Sequence, residues 1–225
     1  MLQVENFFDL SGCRFSELFE KVNFVWEVLK RRDAYIKEVI EPNLLGKISK
    51  RAIVEGDVSV GKGSVVEPGV MIVGPAIIGE NTLIRHGAYI RGNVIIGDNC
   101  IIGHASEVKG TIILNNTELA HFNYVGDSII GSNVLLGAGV KTANVKITGD
   151  TIEIIVEGKK YQPGFVKFGC IVGDEVHVGC NSVFNPGTLV GRRTCVYPNV
   201  SLRGYYPGNQ IIKLKQNQEH RKRVF

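Results

Sequence analysis

The sequence predicts a mainly β protein, a single-stranded parallel β-helix built from six-residue repeats. Three observations carry this. Counting by sixes from Val54 gives Val60, Val66, Ile72, Ile78, Ile84, Ile90, Ile96, Ile102 and Val108 without a slip. Four positions on from each lies a mostly small residue, among them Ser64, Ala76, Thr82, Ala88, Cys100 and Ser106. Glycine follows the aliphatic residue at Gly61, Gly79, Gly97 and Gly103, and supplies 27 of the 225 residues, well above the roughly 7% of ordinary proteins.

A helix repeats every 3.6 residues and a simple strand every 2, so neither accounts for a strict six. Three hexads instead close one triangular coil, and successive coils stack about 4.8 Å apart through strand hydrogen bonds. The aliphatic residue points inward, the small one fits beside it, and glycine serves the corner, where a β-carbon would oppose the turn. The register returns at Ile130 and Leu136, then Val172, Val178, Phe184, Val190 and Val196, offset by four from the first set. The chain therefore shifts phase between Val108 and Ile130.

Three segments stand outside the repeat. Residues 1–50 carry an amphipathic stretch, Leu18, Val22, Val25 and Leu29, continued by Tyr35, Ile36, Val39 and Ile40 until Pro42 stops it. This N-terminal helical segment is expected to cap the first coil of a helix spanning 51–204. Within residues 142–171, Val145 and Ile147 precede Gly149-Asp150, and Ile152, Ile154 and Val156 precede Gly158-Lys159, which predicts a hairpin excursion. Residues 205–225 form a basic tail.

Charge and composition exclude several classes. The net charge is +4. Lys213, Lys215, Arg221, Lys222 and Arg223 face Glu219 alone at the end of the chain, a run that reads as a solvated terminus. No aromatics interleave it to stack bases, so no nucleic-acid partner is expected. No apolar run approaches the roughly 18 residues of a membrane span, and the amino end lacks a signal peptide. Five cysteines in odd number, with no C-x-x-C pair, fit free thiols in a reducing compartment. A cytoplasmic protein is expected.

Spacing by 18 becomes stacking in such a coil. Arg85, Gly103 and His121 are expected in one column, each after an inward residue, and Arg91 and Lys109 in another. Glycine would leave a gap between Arg85 and His121 suited to a sugar phosphate, with Arg85 and Lys109 toward the phosphate. His86 and His104 should stack directly. Two stacked imidazoles fall short of the three ligands zinc needs, so no metal is expected.

The stretch from Arg85 to Asn144 contains Ile84-Arg-His-Gly-Ala-Tyr89, Ser106-Glu-Val-Lys109, Ala120-His-Phe-Asn-Tyr-Val-Gly-Asp127 and Gly137-Ala-Gly139. With roughly residues 52–204, it resembles the acetyltransferase domain of the bifunctional glucosamine-1-phosphate acetyltransferase/N-acetylglucosamine-1-phosphate uridylyltransferase. It is also similar to the short nucleotidyltransferase-named proteins that keep only this domain. The resemblance implies a left-handed coil and a homotrimer with sites between neighbouring subunits. It implies acetyl-CoA as co-substrate and a sugar phosphate or nucleotide sugar as the other partner. By motif, His121 matches the general base. Arg85, Lys109 and Tyr124, with Asn123, match sugar-phosphate contacts, and Ala138, Asn144 and Cys180 match coenzyme contacts. Leu135 stands where the family has asparagine, Val145 where it has tyrosine and Cys180 where it has serine, departures that bear on sugar and coenzyme specificity. Hexapeptide-repeat carbonic anhydrases share this fold, but their histidine pair five apart has no counterpart here.

An amine attacks a thioester only after losing its proton, and a neutral imidazole can accept that proton. The expected function is thus coenzyme A-dependent acyl transfer to an amino sugar or its phosphate. The alternative is a non-catalytic trimeric module that binds sugar nucleotides or assembles with a separate nucleotidyltransferase. The Gly-x-Gly-Thr-Arg loop of a sugar-nucleotide pyrophosphorylase is absent from these 225 residues, so the chain is not expected to make nucleotide sugars by itself.

Overall fold

A computed structural model describes residues 1–224; Phe225, the last residue of the expected tail, lies outside the described residues. Strands of two or three residues stack into three parallel sheets of nine, nine and eight strands, plus one two-stranded antiparallel hairpin. This is the predicted β-solenoid, of about nine turns, and it is consistent with the left-handed coil the resemblance implied. The first sheet begins at Asn43–Leu44, the second at Lys47–Ile48 and the third at Ile53–Glu55. Each gives one face of a triangular prism.

The inward hexad residues from Val60 to Val108 are buried almost completely. Polar members of the small-residue position satisfy each other along the prism, as buried hydroxyls must. Ser64 Oγ donates to the Gly79 carbonyl at 2.7 Å and accepts from the Thr82 N–H at 2.9 Å. Thr82 Oγ1 does the same for the Gly97 carbonyl and the Cys100 N–H. Burial pushes the Cys100 and Cys170 thiols up to about 12, and all five cysteines are free.

The phase shift has a definite origin. Val60 pairs with Ile78 and Ile78 with Ile96, coils of 18 residues. Ile96 then pairs with Ile113 and Ile113 with Ile130, coils of 17. One residue is lost at each of two corners, between Val108 and Ile113 and between Val125 and Ile130. Ile113, Leu119 and Val125 therefore point inward, where an unbroken count of six would have chosen Leu114, Ala120 and Gly126. The next coil, from Ile130 to Val172, takes 42 residues because it contains the excursion. There Ile154–Val156 pairs antiparallel with Lys159–Tyr161 around Glu157 and Gly158, both at positive φ, so the expected hairpin is present.

The N-terminal segment departs from expectation. It lies along the first face rather than over the first coil. Ile77, Ile95, Ile112, Ile129, Ile171 and Leu189, on the outer side of the first sheet, join Phe7, Leu18, Trp26, Leu29 and Ile36 in a second core that also takes in Ile152, Ile154 and Phe168 of the excursion. An apolar outer face needs cover, and each such side chain contributes about 1.5–3 kcal/mol when buried. The helix itself, α1, is Glu27–Val39, shorter than the amphipathic pattern. Lys21 at φ 54° breaks the run before it, and the Glu27 carboxylate accepts from the Asn23 N–H at 2.8 Å to start it. Residues 43–48 already belong to the first coil, and strands Tyr205–Tyr206 and Ile211–Ile212 carry the prism past residue 204. No helix among the described residues is long and apolar enough to cross a membrane.

One buried carboxylate ties segment to prism. Asp174 accepts from the Asp9 N–H at 2.6 Å and the Ser132 N–H at 2.8 Å, and Arg192 Nη2 lies 3.5 Å away. Asp174→Ala would strand those donors, and is expected to cost about 2–4 kcal/mol in thermal or denaturant unfolding. Burial also pushes this carboxyl above its ordinary 3.8. Its titration therefore adds stability that is fully present below 3.8 and is lost as pH rises through the raised value. Asp174→Asn should flatten the pH dependence across that window; an unchanged profile would count against the assignment.

Candidate functional site

The expected site residues gather along the two edges of the third face. At the leading edge the backbone ladder runs from His86 through Ala105, from His104 through Phe122, from His121 through Gly139 and from Ala138 through Asn181, each N–H bonding the carbonyl one coil below. His86, His104, His121, Ala138 and Cys180 thus form one column. The shortened coil moves His121 into this column and out of the expected one with Arg85. Arg85 sits one column earlier and two coils, or roughly 10 Å, below. Nor does Gly103 leave a gap. The next coil closes onto it, so that a β-carbon there would overlap the Ala120 carbonyl oxygen.

The three histidines differ in how they are held. His86 and His104 stack at 5.5 Å with an interplanar angle of 6°. Each donates its Nδ1–H to the carbonyl one coil below, Pro68 at 2.5 Å and His86 at 2.7 Å. The Phe122 N–H occupies the His104 carbonyl at 2.9 Å. His121 is left exposed, with Phe122 as its ring neighbour and no side-chain hydrogen bond among the described residues. Cys180, further up the column, is exposed as well.

The trailing edge holds a closed polar cluster. Asp127 Oδ2 accepts from Asn144 Nδ2 at 2.5 Å and from Lys109 Nζ at 3.3 Å. The Tyr124 hydroxyl bonds Asn144, and burial, with the nearby Asp127 and Glu107 carboxylates, raises its phenol above the usual 10. Tyr124 therefore keeps its proton and can donate. Arg91 and Lys109 do stack one coil apart, as expected, and Arg91 is engaged by Glu107 at 2.6 Å. From α1, Arg32 Nη1 donates to the Gly110 carbonyl at 2.5 Å, which fixes the corner beside Asp127. Asp127 is the hub of this edge, and the sequence reading gave it no role.

Asn123 does not reach the surface. It is buried, its Nδ2 donates to the Gly137 carbonyl at 2.8 Å, and its backbone N–H bonds Ser106 Oγ. Once Leu119 and Val125 point inward, Asn123 falls in the small inward position, so it serves the coil and not a substrate. Leu135 and Val145, the departures from the family pattern, are both exposed.

A family model described as the GMPPB C-terminal domain matches residues 72–163. The bifunctional protein GlmU of Methanococcus maripaludis is 35% identical over 206 residues, 92% of this chain and 50% of that protein. A bifunctional sugar-1-phosphate nucleotidylyltransferase/acetyltransferase of Sulfurisphaera tokodaii is 33% identical over 85 residues, 38% of this chain and 21% of that protein. Among solved structures, the UDP-N-acetylglucosamine acyltransferase of Francisella novicida aligns with 76% of this chain and 59% of its own, at 18% identity and a TM-score of 0.39. The chain is a hexapeptide-repeat β-helix protein. Its relatives over most of its length are the bifunctional GlmU proteins, and it spans about half the length of those it matches.

Proposed function

We propose that the protein is a coenzyme A-dependent acyltransferase that acetylates the amine of an amino sugar or amino-sugar phosphate in the cytoplasm. The observation that carries this is the exposed, unengaged His121 imidazole at the head of a face whose far edge offers Lys109, Tyr124 and Asn144. In the reaction the amine nitrogen attacks the thioester carbonyl carbon while His121 takes the amine proton. The C–S bond then breaks, and the departing thiolate leaves as the thiol once protonated. Ala138, Asn144 and Cys180 would line the coenzyme side, and Arg85 and Lys109 the anionic end of the sugar.

A single chain leaves these groups spread over an open face. We therefore expect a homotrimer in which a neighbouring subunit closes the site. Light scattering of a monomer near 24.7 kDa at micromolar concentration would defeat the assembly. Thiol release from acetyl-CoA, with a panel of amino-sugar phosphates and nucleotide-linked amino sugars as acceptors, tests the chemistry. One acceptor should stimulate release well above the acceptor-free rate. Silence across the panel, with sugar nucleotides still bound, would favour the binding-module alternative, which the apolar, exposed Leu135 and Val145 support.

A further inference from the structure

The N-terminal segment and the excursion hairpin meet over a cavity of about 680 Å³ that shares no residue with the candidate acyl-transfer face. That volume lies within the range of small-molecule sites. Its wall is aromatic. Phe24 stacks on Trp26 at 4.7 Å and 8°, while Tyr161 stands edge-on to both rings, 5.5 Å from Phe24 and 5.8 Å from Trp26. Trp26 is buried beneath Phe24, whereas the half-buried Phe24 and Tyr161 line the cavity. Phe24 thus lines the cavity with Trp26 stacked on one of its faces and Tyr161 set at an angle beside it.

The polar groups around this platform are few, and two of them are unspent. The side-chain amides of Gln3 and Asn23 line the cavity, and neither has a hydrogen-bond partner among the described residues. Each presents a donor and an acceptor, the complement of the edge of a heterocyclic base. Lys159 Nζ lies 5.1 Å over the Tyr161 ring at the same opening, and Glu157, in the hairpin turn, lines the cavity too. A flat ring to stack on, two amides in reach of its edge, a carboxylate for hydroxyls and an ammonium for phosphate match one ligand class.

We propose that this cavity binds a nucleotide, its base stacked on Phe24, its edge read by Gln3 and Asn23, and its phosphate drawn to Lys159. The site stands apart from the acyl-transfer reading and does not depend on it. A nucleotide held there bridges residues 3–24 and 157–161, two segments that lie against the same face of the prism.

Trp26 is the sole tryptophan of the chain and touches the platform, so its fluorescence reports the site. The whole protein is titrated with AMP, GMP, CMP and UMP, with ribose 5-phosphate and inorganic phosphate as baseless probes, and each response is checked by equilibrium dialysis. At least one nucleotide should give a saturable change below about 1 mM, and the baseless probes none. Phe24→Leu should weaken that binding about 5- to 150-fold by dialysis. Asn23→Ala and Lys159→Ala, at exposed positions that leave the fold intact, should weaken it as well. His121→Ala should leave it unchanged. No saturable binding of any nucleotide, equal binding of phosphate alone, or full affinity in both Phe24→Leu and Asn23→Ala would overturn the proposal. Loss of binding in His121→Ala would also overturn it, placing the nucleotide on the acyl-transfer face.

Discussion

His121→Ala is expected to slow acyl transfer about 10²- to 10⁴-fold while the melting temperature barely moves. The rate loss is that of removing a general base. The small structural cost follows from the exposure of the ring and its lack of hydrogen-bond partners among the described residues: no cavity opens and no donor is stranded, so stability should change within about 0.5 kcal/mol. Arg85→Ala should act differently, raising the KM for a phosphorylated acceptor more than it lowers kcat, if the guanidinium holds the phosphate equally in ground and transition states. Steady-state kinetics on the folded variants separate the two. Wild-type turnover in His121→Ala would remove the general-base assignment, and an unfolded variant would make His121 structural.

Gly103→Ala should damage the protein far more than its single methyl suggests. The new β-carbon would overlap the carbonyl groups of Leu119 and Ala120 in the next coil. These are backbone atoms held in the ladder by the Gly103 N–H on Leu119 and the Ala120 N–H on Leu136, not the ends of side chains that can swing away. Relief requires parting two coils in mid-prism, so the loss should reach about 3 kcal/mol or more, and His121, next in the chain to Ala120, should lose its place with it. Gly149→Ala is the contrast: its φ is +75° but open space surrounds it, and backbone strain alone should cost about 1 kcal/mol. Denaturant midpoints of equal size for the two would refute the close-packing account.

The prism was legible in the sequence because its inward residues are chemically uniform for ten hexads. Legibility ended where two corners dropped a residue each, since a count by sixes cannot register a five. The turns held the missing signal. Asn81, Asn99, Asn116 and Asn133 all take the left-handed conformation, which asparagine tolerates better than most residues, and their spacings of 18, 17 and 17 mark the short coils. Shifting the register there would have placed Asn123 inside and His121 above His104. The covered face went unread, although doublets such as Ile77-Ile78, Ile95-Ile96, Ile112-Ile113 and Ile129-Ile130, where strands are apolar on both sides, carried its signal. Asp127 was not: nothing about an aspartate in a turn foretells that Lys109 and Asn144 will converge on one of its oxygens from different coils.

The strap along the first face also changes how the molecule must come apart. In a bare solenoid each coil touches only its neighbours, so rungs can melt singly from either end and stability adds up along one dimension. Here one stretch of chain, residues 2–36, shares a single core with Ile77 on the third strand of the first sheet and Leu189 on the eighth of its nine. Peeling any middle rung strips cover from that core, and releasing the strap exposes a column of isoleucines on many rungs at once. Melting should therefore lose its graded, end-inward character and approach all-or-none behaviour.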